Sequence, residues 1–139
     1  MSFLIDTNVL SELRKGPRAD AGVRTWFAGV PEADLFTSVL VTAEIRTGIE
    51  RVRPRDPAFA ATLEAWLGQL LDGYGDRVLP VDAAVAQRWG RLHASAHLPV
   101  VDGILAATAL ANDLTLVTRN RADIARSGVR WLDPFGCSR

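Results

Sequence analysis

Four acidic residues, spread over almost the whole chain, stand where apolar segments end or helices are expected to begin. They are Asp6, Glu44, Asp102 and Asp123. Asp6, for example, directly follows the apolar run Phe3-Leu4-Ile5. In an open parallel sheet the carboxyl ends of the strands line one crevice, and ligands bind there. Acids this far apart in sequence can therefore meet in space.

A cluster of carboxylates needs compensating positive charge. Two carboxylates about 5 Å apart repel each other by about 3 kcal/mol at an effective dielectric constant of 20. Summed over every pair among the four, this repulsion is comparable with the whole stability of a domain. Oxygen ligands without Cys or His favour a hard cation such as Mg²⁺ or Mn²⁺. Two such ions about 3.5–4 Å apart support in-line phosphodiester hydrolysis, so these residues predict nuclease chemistry that needs no Ser or Cys nucleophile.

Each acid, taken singly, also has an ordinary structural explanation. Asp102 at a helix start would favour the positive end of the helix dipole, and Asp123 could cap a short surface helix. Their apolar surroundings favour the functional interpretation. Glu44 lies among Val39, Leu40, Val41 and Ile45, and Asp102 follows Pro99-Val100-Val101. The sequence therefore predicts acids at the edge of a buried sheet.

The elements that position these acids alternate between strand-like and helix-like segments, which indicates an α/β fold with a parallel sheet. The predicted strands span residues 3–5, 35–38, 77–81, 114–118 and, as a short last strand, 129–132. Helices are expected to start at the caps Asn8, Asp20, Asp56, Asp82 and Asp102, and a further helix carries Glu44.

Composition limits the class of protein. A chain of 139 residues fits one domain, residues 1–139. Its 16 basic and 16 acidic residues cancel, which is not the basic footprint of a general nucleic-acid-binding module. The lone Cys137 cannot form an internal disulfide, and no signal peptide or membrane-spanning stretch is recognisable. We therefore expect a cytoplasmic protein with no membrane partner.

Four stretches carry a resemblance to a known family. They are residues 3–12 (FLIDTNVLSE), 42–49 (TAEIRTGI), 98–110 (LPVVDGILAATAL) and 116–124 (LVTRNRADI). Together they resemble the PIN-domain ribonucleases, and in particular the VapC-type toxins of bacterial toxin–antitoxin pairs. The stretches occur in the family's order and spacing, so the resemblance covers essentially the whole chain. One departure is Ile124, where an aromatic residue often follows the last acid.

The resemblance implies a three-layer α/β/α sandwich around a parallel sheet of four to five strands. It implies that Asp6, Asp102 and Asp123 hold a principal Mg²⁺ or Mn²⁺ ion, and that Glu44 binds a second ion or positions water. Asn8 is expected to support Asp6. Thr118 and Asn120 match polar positions at the rim of the family's site.

The resemblance also implies partners. It predicts a metal-dependent endoribonuclease that acts as the toxin of a type II toxin–antitoxin pair, with tRNA the favoured RNA substrate. A homodimer is expected to assemble with a small antitoxin into a larger hetero-oligomer, the antitoxin's tail occupying the acidic groove. Basic residues flank the acid-bearing segments, and some of them are expected to contact RNA phosphates. The set is Arg14, Lys15, Arg18, Arg46, Arg119 and Arg121.

Other functions remain open or are disfavoured. The main alternative is a catalytically weak PIN-like module that binds RNA or protein. An aspartate-nucleophile phosphatase would need a second Asp where Asn8 stands, and a receiver domain would need a late lysine, whereas Lys15 is the only lysine. His93 and His97 have the spacing of a zinc-binding pair but lack the intervening Glu of a metalloprotease, which favours a helix-surface role. The four tryptophans, Trp26, Trp66, Trp89 and Trp131, are predicted to lie in the core or a dimer interface.

Overall fold

A computed structural model describes residues 1–136, so Cys137 lies outside the described residues. Five strands form one parallel sheet in the order β3-β2-β1-β4-β5. The strands are β1 (Phe3–Ile5), β2 (Leu35–Ser38), β3 (Val78–Leu79), β4 (Thr115–Val117) and β5 (Trp131–Leu132). This sheet, with its covering helices, confirms the predicted α/β/α class.

Within residues 1–136, seven α-helices connect and cover the strands. They are α1 (Thr7–Leu13), α2 (Ala21–Ala28), α3 (Val39–Val52), α4 (Pro57–Tyr74), α5 (Ala83–Ala96), α6 (Val100–Ala111) and α7 (Arg121–Ile124). Asp20, Asp56 and Asp82 cap their helices as predicted, each accepting a hydrogen bond from a backbone N–H of the first turn. Among the described residues, no helix is both long enough and apolar enough to span a membrane.

Two helix starts differ from the prediction. The first helix begins at Thr7, capped by Asp6, so Asn8 lies inside its first turn and is not the cap. Helix α6 begins at Val100, with Pro99 at the N-cap position, so Asp102 lies in its first turn and does not open it. In both cases the acid lies at or near the helix N-terminus, where the backbone dipole favours negative charge.

The central strands are the most buried part of the sheet. Leu4 and Ile5 of β1 and Leu116 and Val117 of β4 have no exposed surface. Strand β1 pairs with β2 on one side and with β4 on the other, so the residue that follows β1 lies at the middle of the sheet's carboxyl edge. That residue is Asp6.

The outer strands are shorter than predicted. Strand β3 covers only Val78 and Leu79, because Arg77 belongs to a preceding 3-10 turn. There the Arg77 guanidinium donates to the backbone oxygens of Glu32, Leu35 and Gly73. Strand β5 begins at Trp131, two residues after the predicted start.

The tryptophans divide between two environments. Trp26 and Trp66 pack against the main core, and Trp89 is partly buried between α5 and α6. Trp131 keeps 38% of its surface exposed, so it does not belong to the core of this chain.

Candidate active site

Asp6 is held firmly at the junction of the two central strands. Its backbone N–H donates to the carbonyl of Val117 at 2.9 Å, which extends the β1–β4 pairing by one residue. Its Oδ1 accepts a 2.7 Å hydrogen bond from the Thr7 N–H, and its Oδ2 accepts a 2.7 Å bond from the Thr118 hydroxyl. Only 6% of the residue is exposed. The carboxylate therefore has one orientation, set by donors on two different elements.

Burial raises the pKa of Asp6 above its ordinary value, while the hydrogen bonds from Thr118 and Thr7 act in the opposite direction. Burial is the larger effect because the carboxylate has lost most of its water. Nearby positive charge would favour the ionised form, and the hydrogen bonds already orient that form for binding.

Asp102 is the acid whose pKa responds to the charges of the other three. Its pKa is raised to about 6, first by burial and then by the negative charges of Asp6, Asp123 and Glu44. All three other acids therefore lie close enough to act electrostatically on Asp102. The Asn120 side chain donates a 2.6 Å hydrogen bond to Oδ2 of Asp102 and partly opposes this shift.

Glu44 lies on α3 and is exposed on the side of the acid cluster. The hydroxyl of Thr7 donates a hydrogen bond to its Oε1. Thr7 thus contacts two acids at once, Asp6 through its backbone N–H and Glu44 through its side chain. Thr7 was not among the predicted site residues, because its partner Glu44 lies 37 residues away on another helix.

Asp123 lies on the short helix α7 and pairs with Arg126 at 3.3 Å. The same guanidinium donates to the backbone oxygen of Ala96 at 3.3 Å. Arg126 therefore joins the helix that carries Asp123 to the end of α5, just before the segment that leads to Asp102.

The polar residues predicted to support the acids form one network. The Thr118 hydroxyl donates to Asp6 and accepts a 3.1 Å hydrogen bond from the Asn120 N–H. The Asn8 amide donates to the same hydroxyl at 3.4 Å, and its oxygen accepts from the Arg119 N–H at 3.2 Å. Asn8 therefore acts on Asp6 through Thr118.

The charges of Asp6, Asp123 and Glu44 act on Asp102, but the four carboxylates are not gathered around a common point. Among residues 1–136, no group of three or more His, Cys, Asp and Glu side chains is arranged so that it could hold a metal ion as it stands. Each acid instead has its own partner, in Thr118, Thr7, Asn120 or Arg126. Mutual repulsion favours such separation in the absence of added positive charge. The donor set consists of oxygen atoms, which suits a hard divalent cation.

The predicted phosphate-binding residues have different surroundings. Arg46 joins Glu50 and Glu64, with Arg53, in a network that links α3 to α4 and lowers the pKa of Glu64 to about 2. Lys15 pairs with Glu12 at 3.0 Å, and Arg121 pairs with Asp133 at 3.5 Å. To bind RNA, each of these residues would have to exchange its carboxylate partner for a phosphate group.

Arg14 and Arg119 instead lie over aromatic rings. The Arg14 guanidinium is 5.4 Å from the centre of the Phe59 ring, and that of Arg119 is 4.4 Å from the centre of Phe135. Arg18 ends an exposed 3-10 turn after α1. Arg119 follows Thr118 directly, which places its backbone within the network around Asp6.

An apolar groove starts at the acidic site and runs along α4. Its first cavity, about 350 Å³, is lined by Thr7 and Glu44 at one end and by Trp66 at the other. Trp66 also lines two further cavities of about 380 and 390 Å³, which continue along Leu70 and Tyr74. Of the four acids, Glu44 thus lines a surface depression whose other walls are mostly hydrophobic.

The parallel five-stranded sheet covered by helices, with Asp6 at its carboxyl edge, defines an α/β/α fold. The comparisons with known proteins show which family this fold represents. Residues 3–127 match the family model of the PIN domain. The chain belongs to the PIN-domain family, which confirms the resemblance found in the sequence.

Relatives with assigned names match over nearly their full length. VapC ribonuclease Y4jK from Sinorhizobium fredii is 30% identical over 140 residues, covering 96% of this chain and 97% of that protein. Toxin FitB from Neisseria gonorrhoeae is 28% identical over 140 residues, covering 96% and 98%. The crystal structure of FitAcB from the same species superimposes with a TM-score of 0.87 at 28% identity, covering 95% of this chain and 97% of that one.

Proposed function

We propose that this chain is a Mg²⁺- or Mn²⁺-dependent endoribonuclease that acts as the toxin of a type II toxin–antitoxin pair. The observation that carries the proposal is geometric: Asp6 lies at the carboxyl edge of the central strands, held by Thr118 and Thr7, and Asn120 links Thr118 to Asp102. This arrangement lies in a PIN-domain fold. The names of the relatives, a VapC ribonuclease and Toxin FitB, support both parts of the proposal.

In this proposal Asp6, Asp102 and Asp123 hold the principal ion, and Glu44 binds a second ion or positions water. A bound ion would lower the pKa of an attacking water and stabilise the leaving oxygen. The protein's own contribution is orientation. Thr118 and the Thr7 N–H present Asp6 in one direction, and Asn120 does the same for Asp102. The Thr7 hydroxyl occupies Oε1 of Glu44 and so fixes how the rest of that carboxylate faces the site.

The proposed substrate is RNA, with tRNA favoured. The chain has zero formal net charge, so general attraction to phosphates is weak and local contacts must position the strand. Arg119 and Arg121 lie on the segment that carries Thr118 and Asp123, and Arg14 and Lys15 lie at the end of α1. Arg46 is the weakest member of the predicted set, because Glu50 and Glu64 already engage its guanidinium.

The proposed protein partner is an antitoxin that covers the apolar groove and the acids together. Trp66, Leu70 and Tyr74 offer a hydrophobic surface to an amphipathic segment. At the end of the groove, Glu44 and its neighbours would attract a basic side chain of that segment. Such a partner would block RNA and hold a counter-charge at the acids. A homodimer that assembles with the antitoxin completes the proposal.

The test is cleavage of a panel of tRNAs, rRNA fragments and mRNA by the purified chain, with Mg²⁺, Mn²⁺ or EDTA. Asp6→Asn is compared with Asp56→Asn, which changes a helix-capping aspartate at the start of α4 and should retain activity. Metal-dependent cutting that only Asp6→Asn loses supports the nuclease. Equal cutting by all three proteins points to a contaminant. If no protein cuts RNA and none binds Mn²⁺, the chain is a binding module and the catalytic proposal fails.

A further inference from the structure

The end of helix α5 carries two histidines whose side chains meet. His93 lies in the last turn of the helix and His97 is its C-cap. Their ring centres are 5.8 Å apart and the ring planes meet at 68°. Two imidazoles that share a metal ion at about 2.0–2.1 Å from each nitrogen have ring centres roughly 4.5–5.5 Å apart. The pair is therefore within a few tenths of an ångström of chelate spacing, which a rotation of the exposed His97 ring can close.

The His93 ring is held in place by its neighbours. It stacks on Trp89, with ring centres 4.9 Å apart and an interplanar angle of 19°. Trp89 in turn packs against Gly103 of α6, where a Cβ atom would lie only 3.1 Å from the indole nitrogen. One of the two ligands is thus oriented before any ion binds, which lowers the entropic cost of binding.

The backbone conformation of His97 sets the position of its side chain. It has φ 49° and ψ 53°, the left-handed region that residues other than glycine seldom adopt. In this conformation the chain leaves the helix while the exposed imidazole stays beside that of His93.

The available nitrogens can be identified. Nδ1 of His93 is buried and has no hydrogen-bond partner among the described residues, so Nε2 is the atom that can reach an external ligand. No described acid pairs with either imidazole at ion-pair distance; the pairs in residues 1–136 involve only arginines and Lys15. Both rings can therefore turn a nitrogen towards the same ion.

We infer that His93 and His97 form a surface site for an imidazole-preferring divalent ion of the Zn²⁺, Ni²⁺ or Cu²⁺ class, separate from the acidic site. Imidazole suits these ions, whereas carboxylates and water suit Mg²⁺. Within residues 1–136 no third His, Cys, Asp or Glu joins the pair, so water completes the coordination and the ion exchanges readily. The missing partner at His93 Nδ1 also weakens the site, because metal-bound histidines gain from a second hydrogen bond.

The test is Zn²⁺ binding to protein that carries no polyhistidine tag, measured by competition with a chromophoric indicator in excess Mg²⁺. We expect one Zn²⁺ equivalent, with affinity reduced at least tenfold in His97→Gln and unchanged in Asp6→Asn. His97→Gln is the key variant because its ring is exposed; His93→Gln also removes the stacking on Trp89. Substitution with Cu²⁺ should give an electron paramagnetic resonance spectrum with coupling to two imidazole nitrogens.

Three results would overturn the inference. They are wild-type protein with no Zn²⁺ binding, His97→Gln with wild-type affinity, and loss of binding in Asp6→Asn. The last result would place the ion at the acids. Because the readout is binding and not RNA cleavage, the outcome is independent of the proposed nuclease activity.

Discussion

The hydroxyl of Thr118 donates a 2.7 Å hydrogen bond to Oδ2 of Asp6, although 112 positions separate the two residues in the chain. Both follow central strands, β1 and β4, whose parallel pairing places their carboxyl ends side by side. The bond is buried, and it opposes the rise that burial causes in the pKa of Asp6. Thr118 therefore helps to keep a buried carboxylate ionised and oriented.

Thr118→Val should lower the free energy of unfolding by about 1.5–3 kcal/mol at pH 7, because a buried carboxylate loses a charge-assisted hydrogen bond. Thr118→Ser should recover most of the loss. Urea denaturation measures both. The matched control is Thr115→Val in β4, the strand that Thr118 follows: the Thr115 hydroxyl is buried without a described partner, so its removal should be neutral or stabilising. Equal losses of unfolding free energy in Thr118→Val and Thr115→Val would show that the hydrogen bond from Thr118 to Asp6 does not stabilise the fold.

Thr7→Ala should reduce RNA cleavage about tenfold, equivalent to about 1.4 kcal/mol, while the fold is retained. The substitution removes the hydroxyl that orients Glu44. It keeps the backbone N–H that donates a hydrogen bond to the Asp6 carboxylate. Thr7→Ser retains the hydroxyl and should restore activity. Single-turnover cleavage rates measure the effect, and a Thr7→Ala enzyme as fast as wild type would show that Glu44 needs no such orientation.

Asp102→Asn should stabilise the metal-free protein at neutral pH. The pKa of Asp102 in the folded state is about 6, above the ordinary value of 3.8. Folding therefore binds protons between these values, and the stabilisation from Asp102 is complete below about pH 4 and is lost as the pH rises through 6. A shift of this size corresponds to at most about 3 kcal/mol, which partial solvent exposure reduces to about 1 kcal/mol.

Thermal unfolding in EDTA at pH 4 and pH 8 measures this effect. The melting temperature of Asp102→Asn should exceed that of wild type at pH 8 and match it at pH 4. Asp113→Asn is the control, since the Asp113 side chain is 90% exposed and should change little at either pH. Saturating Mn²⁺ should reverse the order at pH 8, because only wild type gains the full binding energy of the ion. An advantage of the variant that does not depend on pH would refute the electrostatic origin.

Gly103→Ala should lower the free energy of unfolding by about 1 kcal/mol. A Cβ atom there would lie 3.1 and 3.2 Å from the Trp89 indole, and such overpacking costs about 1–3 kcal/mol. The gain in helix propensity, about 0.5–1 kcal/mol, offsets part of that cost. Gly90→Ala on the facing helix is the control: nothing lies within 4 Å of its Cβ position, so it should be stabilising. Chemical denaturation of the two variants should give shifts of opposite sign.

The sequence predicted the centre of the molecule better than its edges. The bounds of β1 and β2 were predicted correctly, because their apolar runs are short and end at polar residues. The edge strands β3 and β5 keep only two residues each, since their length depends on the neighbouring strand and not on local pattern. The start of α6 was misplaced because Asp102 is a plausible cap, whereas Pro99 occupies the cap position.

Parallel-sheet geometry predicts part of the candidate site. Asp6 follows β1 at the carboxyl edge of the sheet, whereas Asp102 and Asp123 lie in the first turns of α6 and α7 and Glu44 lies within α3. The role of Thr7 could not be derived, because its partner Glu44 comes 37 residues later and on another helix. The pairing of Arg46 with Glu64 was missed for the same reason: the two lie on different helices, and only tertiary packing brings them together.

The position of β1 in the middle of the sheet has a consequence for synthesis. Chains leave the ribosome N-terminus first, so β1 and β2 emerge long before β4 and the residues that follow it. Strand β4 supplies the second neighbour of β1, and the segment after it supplies Thr118, Asn120 and Asp123. A nascent chain shorter than about 115 residues therefore carries Asp6 without its hydroxyl donor and lacks one acid altogether. The surroundings of Asp6 are therefore completed only after the residues that follow β4 have been made, well after β1 and β2 have emerged.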